Sequence, residues 1–198
     1  MAAYRDDSEP PAGNPSARFA EQKRKVPRKI TALYLQNAAK HYLERYAAPS
    51  AQLARVLERK VWNSCRHHGD DPASFRAIID EVVARAVKIG LVDDKRFAEN
   101  RSASLRRKGQ SARMIAVRLS AKGVTRELVA STTAGLGDGD HEAAVIAARR
   151  KRLGPWRRAE RETYRQKDVA ALMRQGFSGA IARTVVDGDA EELSNPGA

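Results

Sequence analysis

The chain has 198 residues, of which 42% are hydrophobic, 31% are charged and only 6% are aromatic. This balance predicts a folded chain rich in helix-forming residues and argues against a β-sandwich or barrel. The net charge of +13 predicts attraction to an anionic partner, most often a nucleic acid. A single cysteine excludes an intrachain disulfide. No apolar run of about 18 residues or signal-like leader is present, which predicts a cytoplasmic protein without a membrane role.

Residues 1–28 are predicted to form a disordered basic N-terminal arm, because prolines surround the run Lys23-Arg24-Lys25. The arm is interpreted either as a contact with nucleic acid or as a solvated leader, and the second is favoured because basic leaders are common. Helical periodicity begins near Ile30. Residues at three- and four-residue steps then predict one apolar stripe, made of Leu33, Tyr34, His41, Tyr42 and Tyr46.

Helix-capping and helix-stopping residues divide the rest of the chain at regular intervals. The predicted starts are Ser50, Asp93, Asp94, Ser111, Thr125, Asp140 and Ser178, and the predicted stops are Gly90, Gly109, Gly123 and Gly176. No Val/Ile/Thr-rich segment alternates as a strand does. The sequence therefore predicts an all-α fold of three tandem three-helix repeats, forming an elongated, curved helical strip. The predicted repeats cover 29–91, 92–137 and 138–187, and a flexible acidic tail covers 188–198.

The second helix of each predicted repeat ends in a similar way. A core leucine is followed by a stop position and then by an apolar residue that packs back on the last turn. The leucines are Leu57, Leu119 and Leu172, and the apolar residues are Trp62 or Val61, Val124 and Phe177. Trp62 is predicted to lie in the core, whereas Trp156 is equally consistent with core packing and with stacking on bases.

Positive charge concentrates on the first two helices of the second and third repeats. One interpretation is a helix-turn-helix whose recognition helix begins near Thr125. That helix offers mainly Arg126 to base edges, so sequence-specific reading is disfavoured. A diffuse basic surface that contacts phosphates or acidic protein fits the pattern better, and it predicts binding that weakens with salt.

Catalytic and metal sites are not predicted. The word CRHH (65–68) has no second pair of ligands at a spacing that zinc requires. Asp93 and Asp94 stand at a helix start, where capping is a better interpretation than acid–base chemistry. No glycine-rich phosphate-binding motif is present, so the sequence predicts neither a cofactor nor an enzyme.

The segment 90–124, GLVDDKRFAENRSASLRRKGQSARMIAVRLSAKGV, resembles the central segment of RecX regulatory proteins. That pattern has Leu-x-Asp-Asp, an aromatic-Ala pair, a basic helix, a glycine and finally Lys-Gly-hydrophobic. The matching residues are Leu91, Asp93, Asp94, Phe97, Ala98, Arg106, Arg107, Lys108, Gly109, Arg113, Ile115, Leu119, Lys122, Gly123 and Val124. The chain departs from the pattern at Ala103 and Leu105, where many members have Arg-x-Arg, and at Ser111-Ala112 in place of Gly-Pro.

The resemblance implies a non-enzymatic, monomeric regulator that binds the RecA–single-stranded DNA filament and inhibits the ATPase, recombinase and SOS co-protease activities of RecA. It also implies contact with single-stranded DNA, or weakly with double-stranded DNA. A stand-alone DNA- or RNA-binding module without a RecA partner is the alternative. Charge and resemblance together predict these contact residues: Arg101, Arg106, Arg107, Lys108, Arg113, Arg118, Lys122, Arg149, Arg150, Lys151, Arg152, Arg157 and Arg158.

Overall fold

The computed structural model describes residues 26–194, and within this range the chain is helical with no strand. The α-helices are α1 (Ala32–Leu43), α2 (Ser50–His68), α3 (Arg76–Lys88), α4 (Asp94–Arg106), α5 (Ala112–Ala121), α6 (Arg126–Thr133), α7 (Asp140–Lys151), α8 (Arg161–Arg174), α9 (Gly179–Asp187) and α10 (Ala190–Ser194). Short 3-10 turns at Pro72–Phe75, Leu136–Gly139 and Gly154–Trp156 join neighbouring helices. None of the helices between residues 26 and 194 is long and apolar enough to cross a membrane. The predicted all-α class is confirmed.

Three separate hydrophobic cores follow one another along the chain. The first lies among α1, α2 and α3 around Leu35, Leu53 and Leu57. The second lies among α4, α5 and α6 and includes Ile115 and Leu119. The third lies among α7, α8 and α9; its fully buried side chains include Leu172, Val185 and Val186. We refer to these three-helix groups as repeats 1, 2 and 3. The elongated, curved outline stays a prediction.

The apolar stripe predicted on the first helix is divided between the core and the solvent. The most buried residues of α1 are Leu35 and Ala39, and Tyr34 and Tyr42 of the stripe also pack against the first core. Leu33 is 65% exposed, and Tyr46, which follows the helix, is 57% exposed. The predicted stripe is therefore a core contact at Tyr34 and Tyr42, whereas Leu33, His41 and Tyr46 are exposed to water.

Most of the predicted helix starts use the predicted side chains. The hydroxyl groups of Ser111, Thr125 and Ser178 accept hydrogen bonds from the backbone N–H three residues later, at the starts of α5, α6 and α9. The Asp93 carboxylate does the same for α4, at 2.9 Å from the Arg96 nitrogen. These contacts satisfy amide groups that have no partner inside a helix. Ser50 and Asp140 are instead the first residues of their helices, and their side chains make other contacts.

The ends of α5 and α8 match the prediction. Gly123 and Gly176 have left-handed φ values of 87° and 88°, and Val124 and Phe177 are buried behind them. The end of α2 differs, because no glycine occurs until Gly69 and the helix continues for two turns past Val61. Trp62 therefore lies within α2 with 54% of its surface exposed, and its predicted core position is wrong.

Both ends of the described range differ from the predicted flexible segments. The predicted arm lies outside the described residues up to residue 25, but residues 26–28 are already fixed on α2. The Ser64 hydroxyl donates to the Arg28 carbonyl oxygen at 2.9 Å, and His68 Nε2 lies 2.8 Å from the Pro27 carbonyl oxygen. At the other end the predicted tail begins with α10, and Leu193 packs against the third core. Residues 195–198 lie outside the described range.

Candidate functional site

Carboxylates at the start of one repeat hold the second helix of the preceding repeat. Asp94 of α4 accepts hydrogen bonds from the Ser50 backbone nitrogen at 2.7 Å and from the Ser50 hydroxyl at 2.6 Å. Asp140 of α7 accepts a bond from the Ala112 nitrogen at 2.9 Å. Ser50 and Ala112 are the first residues of α2 and α5, where the helix dipole favours negative charge. The same junction therefore occurs twice.

Glycine turns make the second contact of each junction. A Cβ atom at Gly123 would lie 2.6 Å from the Ala51 Cβ, and one at Gly176 would lie 2.6 Å from the Ser111 Oγ. The turn that ends α5 thus packs on the first turn of α2, and the turn that ends α8 packs on the first turn of α5. Both positions need glycine for its left-handed φ and for its lack of a side chain.

The junction between repeats 2 and 3 brings two basic helix ends together. A Cβ at Gly109, just after α4, would lie 2.7 Å from the Ala147 nitrogen of α7. The guanidinium of Arg150 donates to the Lys108 carbonyl oxygen at 2.9 Å. Two basic stretches about forty residues apart are thus joined at this bond. We name the exposed cations that flank it in the chain the convergent cluster: Arg107, Lys108, Arg149, Arg150, Lys151 and Arg152.

Electrostatics explains why cations are stable at this place. The carbonyl ends of α4 and α7 carry partial negative charge, which favours nearby positive side chains. Arg152 ends α7 at a φ of 55°, a left-handed conformation that more commonly selects glycine. The six side chains of the convergent cluster present their charges to solvent, where an anionic partner can reach them.

Two predicted contact residues are engaged inside the molecule. Arg106 pairs with Asp140 at 2.6 Å and also donates to the carbonyl oxygens of Gln110 and Leu136. Arg157 forms two hydrogen bonds with buried Asp168, at 3.0 and 2.6 Å. Both guanidinium groups therefore stabilise the fold, and a role of Arg106 and Arg157 in contacts with a partner stays a prediction.

The Asp168 carboxyl is the centre of the second of these pairs. Burial raises its pKa, but hydrogen bonds from Arg157 and from the Gly154 N–H, together with the charge of Arg157, lower the pKa below its ordinary value. Arg157 also lies over the Tyr164 ring, 4.4 Å from its centroid. Trp156 is half-buried and packs against the third core, which favours the packing interpretation for this residue.

The remaining predicted residues are distributed along α4, α5 and the segment before α8. Arg113, Arg118, Lys122 and Arg158 are exposed. Arg101 is half-buried in a groove that Phe97 and Asp93 also line. The structure therefore joins the two stretches of the convergent cluster at the bond from Arg150 to Lys108, and among residues 26–194 none of these five cations makes such a bond to the cluster.

A positive stripe on α2 was missed by the sequence analysis. Arg55, Arg59, Trp62 and Arg66 follow one another at steps of four, three and four residues, which places them on one helix face. Arg66 lies over the Trp62 ring, 5.6 Å from its centroid, and Arg55 donates to the Ala121 carbonyl oxygen at the end of α5. The spacing was visible in the sequence, but the assignment of Trp62 to the core concealed it.

The surroundings of Cys65 favour neither a nucleophilic nor a metal-binding role for this residue. Burial, with smaller contributions from Asp70 and Asp71, raises the pKa of the Cys65 thiol and disfavours the reactive thiolate. His68, from the same CRHH word, is bonded to Pro27. Across residues 26–194 no three His, Cys, Asp or Glu side chains are grouped as metal ligands.

Comparison with known proteins agrees with the three-helix group formed by α4, α5 and α6. A family model described as the second three-helix domain of RecX matches residues 93–132, which correspond closely to α4, α5 and α6. Regulatory protein RecX of Myxococcus xanthus is 46% identical over 170 residues, covering 82% of this chain and 89% of that protein. The chain belongs to the RecX family.

Further RecX proteins support this membership at lower identity. Regulatory protein RecX of Agrobacterium fabrum is 34% identical over 164 residues, covering 82% of this chain and 86% of that protein. Regulatory protein RecX of Thermobifida fusca is 30% identical over 160 residues, covering 77% and 82% respectively. No solved structure matches the chain. The RecX relatives thus match much more of the chain than the segment 93–132 alone.

Proposed function

We propose that this RecX-family protein binds the RecA–single-stranded DNA filament and inhibits the ATPase, recombinase and SOS co-protease activities of RecA without catalysing a reaction itself. The observation that carries the proposal is the convergent cluster, in which the ends of α4 and α7 meet at the bond between Arg150 and Lys108. A filament offers both DNA phosphates and acidic protein surface. A continuous group of cations engages such a partner through many weak contacts at once.

Inhibition is expected to depend on the convergent cluster. In an assay of RecA ATP hydrolysis on single-stranded DNA, the wild-type protein should lower turnover. The double variant Arg107→Glu/Lys108→Glu should require on the order of tenfold more protein for half-inhibition, because like charges placed against an anionic partner repel it. Arg149→Glu/Lys151→Glu should behave similarly, and raising the salt concentration should weaken wild-type inhibition.

The control variant is Arg85→Glu/Lys88→Glu, which reverses two exposed charges in the last turn of α3. It changes the net charge equally and places acidic residues at a helix carbonyl end, as the cluster variants do. Half-inhibition at the wild-type concentration is expected. Equal effects of control and cluster variants would reject the convergent cluster as the contact, and unchanged RecA turnover with wild-type protein would reject the function.

The alternative, a stand-alone DNA- or RNA-binding module, predicts a different pattern in the same experiment. Tight binding to bare nucleic acid with no change in RecA turnover would support it. The helix-turn-helix version is weakened by α6, whose exposed positions begin with Arg126 and Glu127 and continue with Ala130 and Ser131. Arg126 is the main side chain here that could read a base edge, so phosphate contact remains the better account of the charge.

A further inference from the structure

An open groove of about 570 Å³ runs along the outward face of α1 in repeat 1. Its volume is comparable with the ligand sites of other proteins, which span about 300–1,000 Å³. We call it the α1 groove and define it by Tyr34, Tyr42, Tyr46, Arg28, Arg45 and Lys60, which line it together with Lys29 and Leu33. None of these residues belongs to the convergent cluster or to the α2 stripe.

Tyrosine rings line the α1 groove. Tyr34 and Tyr42 are half-buried and pack against the first core, so their rings are held in place from one side. The rings of Tyr42 and Tyr46 lie 5.3 Å apart between centroids, tilted by 37°. Tyr46 and the neighbouring Leu33 are mostly exposed to water. Such a strip offers flat aromatic surface that is partly fixed before any partner binds.

Cations surround these rings. Arg28 and Lys29 come from the segment before α1, Arg45 from the turn after it and Lys60 from α2, and no carboxylate of residues 26–194 lines the groove. The backbone that carries Arg28 and Lys29 is anchored, because Ser64 bonds to the Arg28 carbonyl oxygen and Ile30 is buried in the core. Positive charge is therefore presented from several sides of the aromatic strip by a fixed backbone.

We propose that the α1 groove binds single-stranded DNA, with bases stacked on Tyr42 and Tyr46 and phosphates neutralised by Arg28, Lys29, Arg45 and Lys60. Aromatic platforms flanked by cations suit single strands, since the faces of unpaired bases are available for stacking whereas those in a duplex are covered. An acidic peptide would satisfy the cations but would leave the aromatic faces unused. This inference rests on the proposed function in one respect: it takes DNA, which the RecA filament contains, as the polymer that the α1 groove binds.

Binding of a fluorescently labelled oligothymidine by the full chain, measured by anisotropy at low salt without RecA, tests the proposal. Tyr46→Leu and Tyr42→Leu/Tyr46→Leu should each bind at least about fivefold more weakly, since leucine retains apolar bulk but has no aromatic face. Tyr42→Phe/Tyr46→Phe should bind like wild type because it keeps both rings. Tyr46 lies outside α1 and is exposed, so Tyr46→Leu tests stacking without disturbing the core.

Charge is tested separately. Arg45→Gln should reduce the slope of log affinity against log salt by about one, as loss of one phosphate contact requires. Arg85→Gln on α3, outside the groove, should leave the slope unchanged. A duplex of equal length should show no difference between wild type and Tyr46→Leu. Wild-type affinity in both leucine variants, or no binding of oligothymidine by the wild-type protein, would overturn the proposal.

The outcome is separable from that of the proposed function. If the leucine variants bind oligothymidine as wild type does while wild-type protein still inhibits RecA, the α1 groove is not the DNA site and the regulatory function stands. If the leucine variants lose DNA binding while wild-type protein leaves RecA turnover unchanged, the groove proposal stands and the regulatory function fails.

Discussion

The Gly109→Ala variant is expected to be less stable than the wild-type protein by roughly 3 kcal/mol, the sum of two effects of similar size. Gly109 has a φ of 72°, a left-handed conformation that costs alanine free energy. The added Cβ would also lie 2.7 Å from the Ala147 nitrogen and 2.9 Å from the Ala143 oxygen. These are backbone atoms of α7, so the contact is relieved only if repeat 3 moves away from repeat 2.

Gly90→Ala is the matched control for this variant. Gly90 follows α3 at a φ of 73°, but no other atom of the described residues lies within 4 Å of its added Cβ. Alanine there should cost only the conformational part, about 1–2 kcal/mol. Thermal unfolding followed by circular dichroism measures both variants. Equal losses for Gly109→Ala and Gly90→Ala would show that the contact between repeats 2 and 3 does not contribute.

Asp168→Ala is expected to destabilise repeat 3 by roughly 2–3 kcal/mol. The change leaves the buried Gly154 N–H without its partner, which now lies at 2.8 Å, and it removes both hydrogen bonds to Arg157. The partly exposed Arg157 can turn towards water, so most of the lost stability comes from the buried Gly154 N–H, which has no other hydrogen-bond partner among the described residues. Hydrogen exchange should show faster opening of α7, α8 and α9, while α1 to α3 should exchange as in wild type.

The pH dependence gives a second measurement at the same residue. The pKa of Asp168 is lower in the folded chain than its ordinary value. Its ionised form therefore stabilises the fold above the unfolded pKa of about 3.9, and this contribution disappears as the pH falls through the lower folded pKa. The stability difference between wild type and Asp168→Asn should accordingly shrink below about pH 4. A difference that stays constant from neutral pH to below the folded pKa would contradict the ion pair.

Local signals in the sequence were sufficient to predict where most helices begin and end. Ser111, Thr125 and Ser178 act on amides only three residues away, and glycines such as Gly123 are required by their own backbone angle. These effects involve neighbours in the chain and are readable without the fold. The prediction of an all-α chain rested on them, and it is correct.

The side of a helix that faces the core, and the contacts between residues far apart in the chain, were not predictable in the same way. The stripe on α1 is only partly a core face, because Leu35 and Ala39 supply the most buried positions of the helix. Trp62 was misplaced because tryptophan is usually well covered, and only the prolonged α2 shows that it is exposed. Arg106 looked like its neighbour Arg107 until the fold brought Asp140 beside it.

The candidate site shows the same limit. Six cations could be named from composition, but their meeting depends on Gly109 packing against α7 and on the bond from Arg150 to Lys108. These contacts join residues about forty positions apart, so the single convergent cluster became visible only in three dimensions.

The junction carboxylates also set an order for synthesis. Ser50 precedes Asp94 by 44 residues, and Ala112 precedes Asp140 by 28. During synthesis, the starts of α2 and α5 are therefore translated before Asp94 and Asp140, the carboxylates that accept their hydrogen bonds. Repeats 1 and 2 therefore gain these hydrogen bonds only after the start of the next repeat has been translated. A premature stop codon just before Asp140 would leave the Ala112 N–H of repeat 2 without this partner.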